Sequence, residues 1–337
     1  MTSPIDSEKA LIEQMTRPTP QVQQAVGAVD GDIVILGVGG KMGPSLAELL
    51  IRAGAGRVIG VSRFSDASEA ERLRDIGVET VKADLLDDEA LASLPDAASV
   101  YLMAGFKFGA TGNETLTWAA NTHLPPRVIE RYRDSTIIYV SSGNVYAYAA
   151  VDGPGADEQA ALNPVGEYAQ SRLGGERLAA YMAQRLDTRL LIVRLFYATE
   201  LRYGILHDLA HAIVTRTPID LAMGYVNQIW QGDANAYLAR ALPLSTSPPA
   251  ILNMTGPDVI SVREIALALG ERLGVDPVFE GEENSTALLG NSSKLFELLG
   301  NPATPLTQIV DWVADWVKMG GRSLGKPTKY ESRSGTF

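Results

Sequence analysis

The sequence contains no cysteine and only three histidines among its 337 residues. Without cysteine, the protein can form neither disulfide bonds nor thiolate nucleophiles, and Cys-ligated zinc or iron–sulfur sites are excluded. Cations are outnumbered, because 29 Lys and Arg face 40 Asp and Glu and give a net charge of −11. That balance disfavours a nucleic-acid partner, since binding a phosphate backbone needs clustered cations. These absences exclude whole classes of function without naming one.

Long hydrophobic runs are missing as well. No segment approaches the ~18 consecutive apolar residues that a membrane helix needs. The opening segment, MTSPIDSEKALIEQ, mixes charges of both signs and lacks the apolar region of a secretory signal. We therefore expect a cytoplasmic protein without membrane contact, and its length suits one large α/β unit or two domains.

From Asp32 onward, short β-branched runs alternate with segments of helical length. The predicted strands cover residues 33–36, 57–61, 80–83, 99–103, 136–140 and 190–196. The predicted helices cover residues 45–53, 68–76, 89–94 and 114–133, the last bent near Pro125 and Pro126. Strands and helices that alternate at this spacing predict an α/β fold with a Rossmann-type doubly wound parallel sheet.

The flanking regions lack this regular alternation. Near the N-terminus, Pro18 and Pro20 would end one short helix. The predicted organisation is an N-terminal extension (1–30), a Rossmann domain (31–196, with part of 234–256 returning to it), a smaller C-terminal α/β substrate lobe (197–233 and 257–319) and a flexible tail (320–337).

The loop after the first predicted strand reads Gly-Val-Gly-Gly-Lys-Met-Gly. Gly37 permits a tight turn out of the strand, Gly40 lets backbone N–H groups approach a pyrophosphate, and Gly43 lets helix and strand pack closely. The start of the following helix then faces an anion, which its dipole favours. A Walker A loop is excluded because Met42 follows Lys41 where Ser or Thr is required. The predicted dinucleotide contacts are Gly37, Gly39, Gly40, Lys41, Met42 and Gly43.

The second strand ends in Ser62 and Arg63. NAD enzymes usually carry Asp or Glu here, to accept a hydrogen bond from the ribose 2′-hydroxyl. Ser62 cannot act as an anion, whereas the guanidinium of Arg63 can pair with a 2′-phosphate. We therefore expect NADP to be favoured over NAD, with a merely solvated Arg63 as the alternative.

Two later segments complete a family pattern. Residues 140–146 read VSSGNVY and residues 168–172 read YAQSR. With the glycine loop, they make the chain from about residue 31 to 318 resemble the extended short-chain dehydrogenase/reductase family, the NAD(P)-dependent sugar epimerase/dehydratase group. The resemblance implies that Ser142 and Tyr168 bind the oxygen of the reacting carbon, with Tyr168 as acid or base and Asn121 in support. It also implies cofactor contacts by Asp84, Leu85, Ala104, Gly105, Ser141, Tyr168, Arg172 and Phe196.

Arg172 departs from the family, which has Lys four residues after the tyrosine. A free phenol titrates near ~10 and needs a neighbouring cation to act as a base near neutral pH. Positions i and i+4 of a helix place that cation on the same face. Arg172 keeps the charge but not the compact ammonium group that donates to ribose hydroxyls. A second Tyr-x-x-x-Arg, Tyr181 with Arg185, is the alternative, but Ser171 makes Tyr168 the better match to the family.

The residues after Ser142 narrow the reaction. Sugar 4,6-dehydratases of this family carry Asp and Glu there, whereas this chain has Gly143 and Asn144, so elimination of water is disfavoured. Hydride transfer at a carbinol or ketone covers a dehydrogenase, a reductase or an epimerase. No Arg stands where nucleotide-sugar enzymes often hold a diphosphate, which favours a small sugar, polyol or sugar acid. The candidate substrate residues are Gly143, Asn144, Tyr197, Asn227, Gln228 and Trp230, with a core position as the alternative for Trp230.

Other interpretations stay open. Arg172 is also compatible with a catalytically weakened NAD(P)-binding sensor or scaffold of the same fold. His207 and His211 have the i, i+4 spacing of a helix-borne metal pair, but the zinc-protease pattern needs Glu where Asp208 stands, so we expect no metal site. The resemblance further implies a homodimer that acts on a small-molecule substrate.

Overall fold

A computed structural model describes residues 5–107 and 109–336, and its central feature is a seven-stranded parallel sheet. In chain order the strands are β1 (Ile33–Leu36), β2 (Val58–Ser62), β3 (Glu79–Lys82), β4 (Ser99–Leu102), β5 (Thr136–Ser142), β6 (Leu190–Leu195) and β7 (Ala250–Met254). Their spatial order is β7-β6-β5-β4-β1-β2-β3, so the direction of winding reverses between β1 and β4. The predicted fold class, a doubly wound parallel sheet, is confirmed.

Strand β1 shows how the sheet separates two hydrophobic cores. Ile33 and Ile35 face one core, and Val34 and Leu36 face the other, because successive side chains of a strand alternate in direction. Burial on both faces explains why this strand is an uninterrupted apolar run in the sequence. Leu36 pairs with Leu102 of β4, so the loops that follow β1 and β4 share one crevice.

Helices cover both faces of the sheet and build the lobe. They are α1 (Glu8–Thr16), α2 (Pro20–Gly27), α3 (Gly43–Arg52), α4 (Ala67–Asp75), α5 (Asp88–Ala92), α6 (Glu114–Trp118), α7 (Leu124–Arg131), α8 (Gly166–Leu186), α9 (Ile205–Thr215), α10 (Gln231–Arg240), α11 (Val262–Leu273), α12 (Ser293–Leu299) and α13 (Leu306–Lys318). Short 3₁₀ turns cover Gly143–Val145 and Leu242–Leu244. Among the described residues, none of these helices combines the length and the apolar character needed to cross a bilayer.

The helix predicted over residues 114–133 is present as one continuous helix that contains a wider, π-helical turn. A π-helical turn, Ala119–His123, joins α6 directly to α7. Pro125 has no N–H to donate to the carbonyl of Asn121, and this carbonyl accepts instead from the Tyr139 hydroxyl at 3.4 Å. Asn121 is thereby buried in the widened turn, facing β5.

The N-terminal extension contains two helices rather than the single one expected. Helix α1 ends before Pro18 as predicted, but Pro20 starts α2, since the first position of a helix needs no N–H donor. Thr19 caps α2 by accepting from the N–H of Val22 at 3.3 Å. Leu11 of α1 and Val22 of α2 are fully buried, where these helices pack against α3 and α10.

The lobe has its own hydrophobic core, formed where α9, α11 and α13 pack together. The rings of Trp230 and Trp312 contact each other in this core, with centroids 5.2 Å apart. Four two-stranded ladders complete the lobe and its border, namely Tyr197–Thr199 with Gln228–Trp230, Tyr225–Val226 with Ile260–Ser261, Ile219–Asp220 with Phe279–Glu280, and Ala149–Ala150 with Thr286–Ala287.

Residues of the tail after α13, for which the sequence predicts flexibility, make specific contacts with the rest of the protein. Thr328 is fully buried and Tyr330 is only 6% exposed. The N–H of Leu324 donates to the carbonyl of Arg202 at 3.0 Å. Polar groups and single aromatic rings make these contacts, without the periodic apolar stripe by which packed segments are recognised in a sequence.

Candidate active site

The glycine loop connects β1 to α3 at the carboxyl end of the sheet. Gly37 has a φ of +91°, and a Cβ on it would stand 2.6 Å from the backbone N of Ala104. A Cβ on Gly39 would stand 2.7 Å from the hydroxyl oxygen of Ser62. Only glycine permits such close approaches. The fold therefore brings together three of the predicted cofactor segments, which follow β1, β2 and β4.

The end of β2 carries both signs of charge. Arg63 is exposed there, as a residue that meets a bound phosphate would be. Glu69 of α4 reaches the same place, with a carboxylate oxygen 3.5 Å from where a Cβ on Gly39 would stand. Burial raises the pKa of Glu69, while the charge of Arg72 opposes that shift. Sequence analysis missed Glu69 because it comes from the next helix and not from the end of the strand.

The other adenine-side residues shape the loops that carry them. The carboxylate of Asp84 closes a local turn after β3 by accepting from the N–H of Leu86 at 3.0 Å. Leu85 is buried in the core below. Within the glycine loop, the N–H of Gly40 donates to the carbonyl of Gly37 at 3.0 Å. The carboxylate of Asp84 is therefore used, at least in part, to close the turn that follows β3.

Lys41 turns from the glycine loop toward the lobe. Its ammonium group lies over the ring of Tyr203. Burial lowers the pKa of Lys41 well below its usual value, the charge of Lys107 lowers it further, and Glu200 and Asp208 oppose the shift. Lys41 thus connects the predicted pyrophosphate loop to the lobe through its contact with Tyr203 and its electrostatic interactions with Glu200 and Asp208.

Ser142 and Tyr168 lie at the same end of the sheet. Ser142 ends β5, and Tyr168 lies in the first turn of α8, which packs against β5 and the turn that follows it. The Ser142 hydroxyl donates to the side-chain oxygen of Asn144 at 3.0 Å and accepts from the Asn144 N–H at 3.2 Å. The ring of Phe196 leaves no room for a Cβ at Gly143. Gly143 and Asn144 therefore shape the serine end of the site.

Arg172 points into the protein and is 4% exposed. Its Nη2 donates to the carbonyl of Val140, and its guanidinium carbon lies 5.1 Å from the ring centroid of Tyr139. Its Nη1 would stand 2.7 Å from a Cβ on Gly105. Burial lowers the pKa of Arg172, but the Tyr139 and Tyr168 phenols give a net increase. Among the described residues its buried Nε finds no hydrogen-bond partner.

Asn121 holds the loop after β4 in place. Its Oδ1 accepts from the N–H of Phe106 at 2.8 Å, and its Nδ2 donates to the carbonyl of Phe106 at 2.9 Å. The same Nδ2 donates to the Ser171 hydroxyl at 3.1 Å. These bonds tie the loop to α8, so Asn121 acts here as a positioning residue.

Lys107, which sequence analysis missed, faces the predicted catalytic tyrosine. Its Nζ lies 5.8 Å from the ring centroid of Tyr168 and 5.6 Å from that of Tyr197. Burial lowers the pKa of Lys107 to about 8, although the charges of Asp208 and Glu331 oppose the shift. The only signal in the sequence was its position, two residues after the Ala104-Gly105 pair. A second cation therefore stands near Tyr168, from another element than Arg172.

Several predicted substrate residues are used within the protein. The Asn227 amide donates to the carbonyl of Gly290 at 3.1 Å and accepts from its N–H at 2.9 Å. The Trp230 ring packs on Trp312 in the lobe core, the alternative position for this residue, and it also borders the cavity that Gln228 lines. Gln228 lines a separate cavity of about 450 Å³, on the border of that core. Tyr197, also predicted for substrate, lies beside Lys107, with its ring centroid 5.6 Å from the Lys107 Nζ.

A buried ion pair supports the site from below. Arg194 of β6 and Glu176 of α8 lie 2.8 Å apart and are each at most 3% exposed. Ser141 donates its hydroxyl to Glu176 at 2.5 Å, so this predicted cofactor residue is bound within the protein. Arg194 also donates to the Tyr146 hydroxyl at 2.7 Å, and Tyr146 stacks on the ring of Phe196. The network fixes the end of β5 relative to α8.

The histidine pair makes no cluster of the kind that holds a metal. The His207 ring hydrogen-bonds the Ser323 hydroxyl at 3.0 Å, and the ring centroids of His207 and His211 are 6.4 Å apart. Over the described ranges, no group of three or more His, Asp or Glu side chains is arranged to hold a metal ion.

Comparisons with known proteins agree with this fold. Residues 33–199 match the NAD dependent epimerase/dehydratase family, whereas no curated protein matches the chain. UDP-glucuronic acid 4-epimerase from Bacillus cereus, in complex with NAD, is 18% identical, with a TM-score of 0.72 over 85% of this chain and 96% of that one. UDP-glucose 4-epimerase from Thermus thermophilus, also in complex with NAD, is 17% identical, with a TM-score of 0.71 over 86% of this chain and 99% of that one.

The family match begins at the first residue of β1 and ends just after β6, so it includes the glycine loop, Ser142 and Tyr168. At identities below 20%, the two solved structures support the fold of the chain and not its substrate. Through residues 33–199, the chain belongs to the NAD dependent epimerase/dehydratase family, within the extended short-chain dehydrogenase/reductases.

Proposed function

We propose that this protein is a nicotinamide-dependent oxidoreductase or epimerase that acts at a carbinol or ketone of a small sugar, polyol or sugar acid. The observation that carries the proposal is the position of Tyr168, in the first turn of α8 and 5.8 Å from the ammonium of Lys107. A phenol near a cation can exchange a proton at neutral pH, which the chemistry at a carbinol requires. The family match supports the class of enzyme.

The crevice fits a dinucleotide. A side chain at Gly37 or Gly39 would collide with Ala104 or Ser62, so the loop lies close against the ends of β4 and β2. The start of α3 favours a pyrophosphate at this loop. The buried Nε of Arg172 offers a donor that no described residue uses. When bound, a nicotinamide would accept or supply the hydride at the substrate carbon.

The residues of the chain supply the remaining chemistry. The Tyr168 phenol would take the proton from the substrate hydroxyl during oxidation and return it during reduction. The Ser142 hydroxyl would orient the same oxygen, while the backbone N–H of Asn144 donates to that hydroxyl. Lys107 and Arg172 would stabilise the tyrosinate by their charge. No carboxylate follows Ser142, which supports hydride transfer over elimination of water.

The form of the nicotinamide depends on two opposed groups. Arg63 would pair with a 2′-phosphate and favours NADP. Glu69 would accept a hydrogen bond from a 2′-hydroxyl and repel a phosphate, which favours NAD. Both similar structures described above contain NAD. We retain NADP as the proposal from Arg63, and the comparison of the two cofactors in solution decides it.

The proposed function is tested by turnover. Purified protein is incubated with each nicotinamide form and a panel of sugars, polyols and sugar acids. Absorbance of the reduced nicotinamide reports oxidation or reduction, and NMR reports epimerisation. For the responding substrate, Tyr168→Phe should lower turnover by on the order of 10²–10⁴ while cofactor binding persists. The matched control is Tyr181→Phe, whose ring is 61% exposed and belongs to the second Tyr-x-x-x-Arg pattern.

The orientation of the Arg172 side chain, which points into the protein, favours a second function. Its guanidinium is bound to the carbonyl of Val140 inside the protein, and it lacks the compact ammonium group with which a lysine donates to ribose hydroxyls. We therefore keep a cofactor-binding sensor or scaffold as the alternative. Tight cofactor binding without turnover of any compound of the panel would support the sensor, and unchanged turnover in Tyr168→Phe would exclude the proposed mechanism.

A further inference from the structure

The C-terminal residues Thr328–Gly335, which we call the strap, run from α9 past the border of the lobe to the start of α8. One end of the strap is fixed on α9. The N–H and the hydroxyl of Thr328 both donate to the same carboxylate oxygen of Asp208, at 2.8 Å and 2.6 Å. Thr328 is fully buried, so this anchor belongs to the packed interior rather than to a loose surface contact.

The middle of the strap is fixed on the border of the lobe. Arg333 donates from Nη1 to the carbonyl of Thr286 at 2.7 Å and from Nη2 to the Thr286 hydroxyl at 2.8 Å. The Tyr148 hydroxyl donates to the carbonyl of Arg333 at 3.2 Å. The guanidinium carbon of Arg333 also lies 4.3 Å from the ring centroid of Tyr148. Both the side chain and the backbone of Arg333 are therefore fixed to the border of the lobe.

The far end of the strap touches the helix that carries the catalytic tyrosine. Gly335 has a φ of +73°, and a Cβ on it would stand 2.6 Å from the carbonyl carbon of Val165. A Cβ on Gly166 would meet the backbone of Gly335 just as closely, at 2.9 Å from its Cα. Gly166 is the first residue of α8, two positions before Tyr168. The two glycines let the strap close directly over the start of this helix.

Between these anchors lies Glu331, which is half-buried and directly follows the buried Tyr330. The charge of Glu331 raises the pKa of Lys107 against the effect of burial. Burial raises the pKa of Tyr197, and the charge of Glu331 is the next cause. Lys107 lies beside the rings of both Tyr168 and Tyr197. The charge of Glu331 therefore acts on residues that surround the proposed reaction.

We propose that the strap forms the outer wall of the substrate pocket and that Glu331 makes the pocket select uncharged substrates over those with a carboxylate or phosphate group. This inference rests on the proposed function and narrows its substrate class to neutral sugars and polyols. A substrate anion would have to compete with Glu331 for Lys107, and like charges in a partly desolvated site repel strongly. A wall fixed at three points also limits the size of the group that can enter.

The test measures binding of a matched neutral and anionic pair to the cofactor-loaded protein. Glucose, glucuronate and, as a larger anion, UDP-glucuronic acid are titrated by calorimetry into the full chain, Glu331→Gln and a chain that ends at Gly325. The control is Glu282→Gln, an exposed carboxylate of the lobe surface. Glu331→Gln should tighten glucuronate relative to glucose by about tenfold or more. The shortened chain should in addition admit UDP-glucuronic acid.

A second measurement needs no substrate. Lys107 is labelled with an amine reagent and quantified by mass spectrometry in the same proteins. Its labelling should rise severalfold in the shortened chain, and also in Arg333→Ala, which loosens the strap without removing it. Equal labelling of Lys107 in all variants would contradict the proposal that the strap forms the wall of the pocket. An unchanged ratio of glucuronate affinity to glucose affinity in Glu331→Gln would contradict the proposed selectivity. Absence of turnover in every protein would instead contradict the proposed function and leave both measurements valid.

Discussion

The ammonium group of Lys107 lies 5.8 Å from the ring centroid of Tyr168, although the two residues are 61 positions apart in the chain and come from different elements. Lys107 follows β4, and Tyr168 lies on α8. The Asn121 amide holds the backbone of Phe106, directly before Lys107, at 2.8 and 2.9 Å. The fold thereby places Lys107 as a cation beside the phenol of Tyr168. The resemblance had assigned the role of this cation to Arg172 alone.

This relationship predicts a specific pH profile. Because the pKa of Lys107 is lowered to about 8, the charge is present below that pH and is lost as the pH rises through it. Turnover that depends on this charge should therefore fall above about pH 8. Lys107→Arg should extend activity to higher pH, since a guanidinium stays charged. Lys107→Gln should lower turnover at neutral pH by on the order of 10²-fold. Initial rates between pH 6 and 10 measure this, with Lys82→Gln as the exposed control. A profile that is the same in Lys107→Gln and the unmodified protein would contradict the role.

Arg172→Lys tests whether the departure from the family weakens the enzyme. We expect no gain in turnover, because the shorter lysine would leave the carbonyl of Val140 without the donor it has in Arg172. An unpartnered buried carbonyl costs about 1–3 kcal/mol, so the free energy of unfolding in urea should fall by a similar amount. A large increase in kcat would instead show that the arginine impairs catalysis.

The glycine loop predicts a matched pair of substitutions. Gly37 and Gly54 have nearly the same backbone, with φ of +91° and +94°, but a Cβ at Gly37 collides with Ala104 and a Cβ at Gly54 meets nothing. Both alanine variants should lose about 1–2 kcal/mol for the left-handed backbone. Gly37→Ala alone should also lose the thermal shift that nicotinamide cofactors produce. Equal cofactor binding in the two variants would place the dinucleotide elsewhere.

The choice of cofactor should respond to two residues in opposite ways. Glu69→Gln should tighten binding of NADP relative to NAD, because it removes a carboxylate beside Gly39. Arg63→Ala should weaken NADP and leave NAD unchanged. Thermal-shift titrations with the four nicotinamide forms measure both effects. Glu71→Gln is the control, since Glu71 is an exposed residue of the same helix. No response to either substitution would mean that the adenosine ribose binds away from the end of β2.

The ion pair below the site should matter for stability more than for chemistry. Arg194 and Glu176 are buried and 2.8 Å apart, and loss of one partner from such a pair leaves an uncompensated charge that costs about 3–5 kcal/mol. Glu176→Gln should lower the free energy of urea unfolding by this order, and Arg194→Met in the same chain should recover part of it. A double variant as unstable as the sum of the single ones would contradict the coupling.

Much of the fold could be predicted from the sequence, because buried parallel strands appear in it as short runs of apolar residues. The predicted bounds of β1 agree with the structure to the residue, and those of β3 and β6 agree within one residue. The second N-terminal helix was missed because Pro20 was treated only as a helix breaker, although proline also starts helices. The sequence could not show that Asn227 bonds the backbone of Gly290 or that Trp230 packs on Trp312, since local sequence does not reveal contacts between residues that are distant in the chain.

The sequence by itself determined the Rossmann-type sheet and the glycine loop, because local periodicity and glycine spacing encode these features. The joint role of Ser142 and Tyr168 stays a prediction from the family resemblance. Only the tertiary structure decided where the charges act. It turned Arg172 inward onto Val140, brought Lys107 to Tyr168, and placed Glu69 beside Gly39. It also folded the tail back over the start of α8. Long charged side chains and an aperiodic tail carry no local signal, since their positions are set by contacts between residues that are distant in the chain.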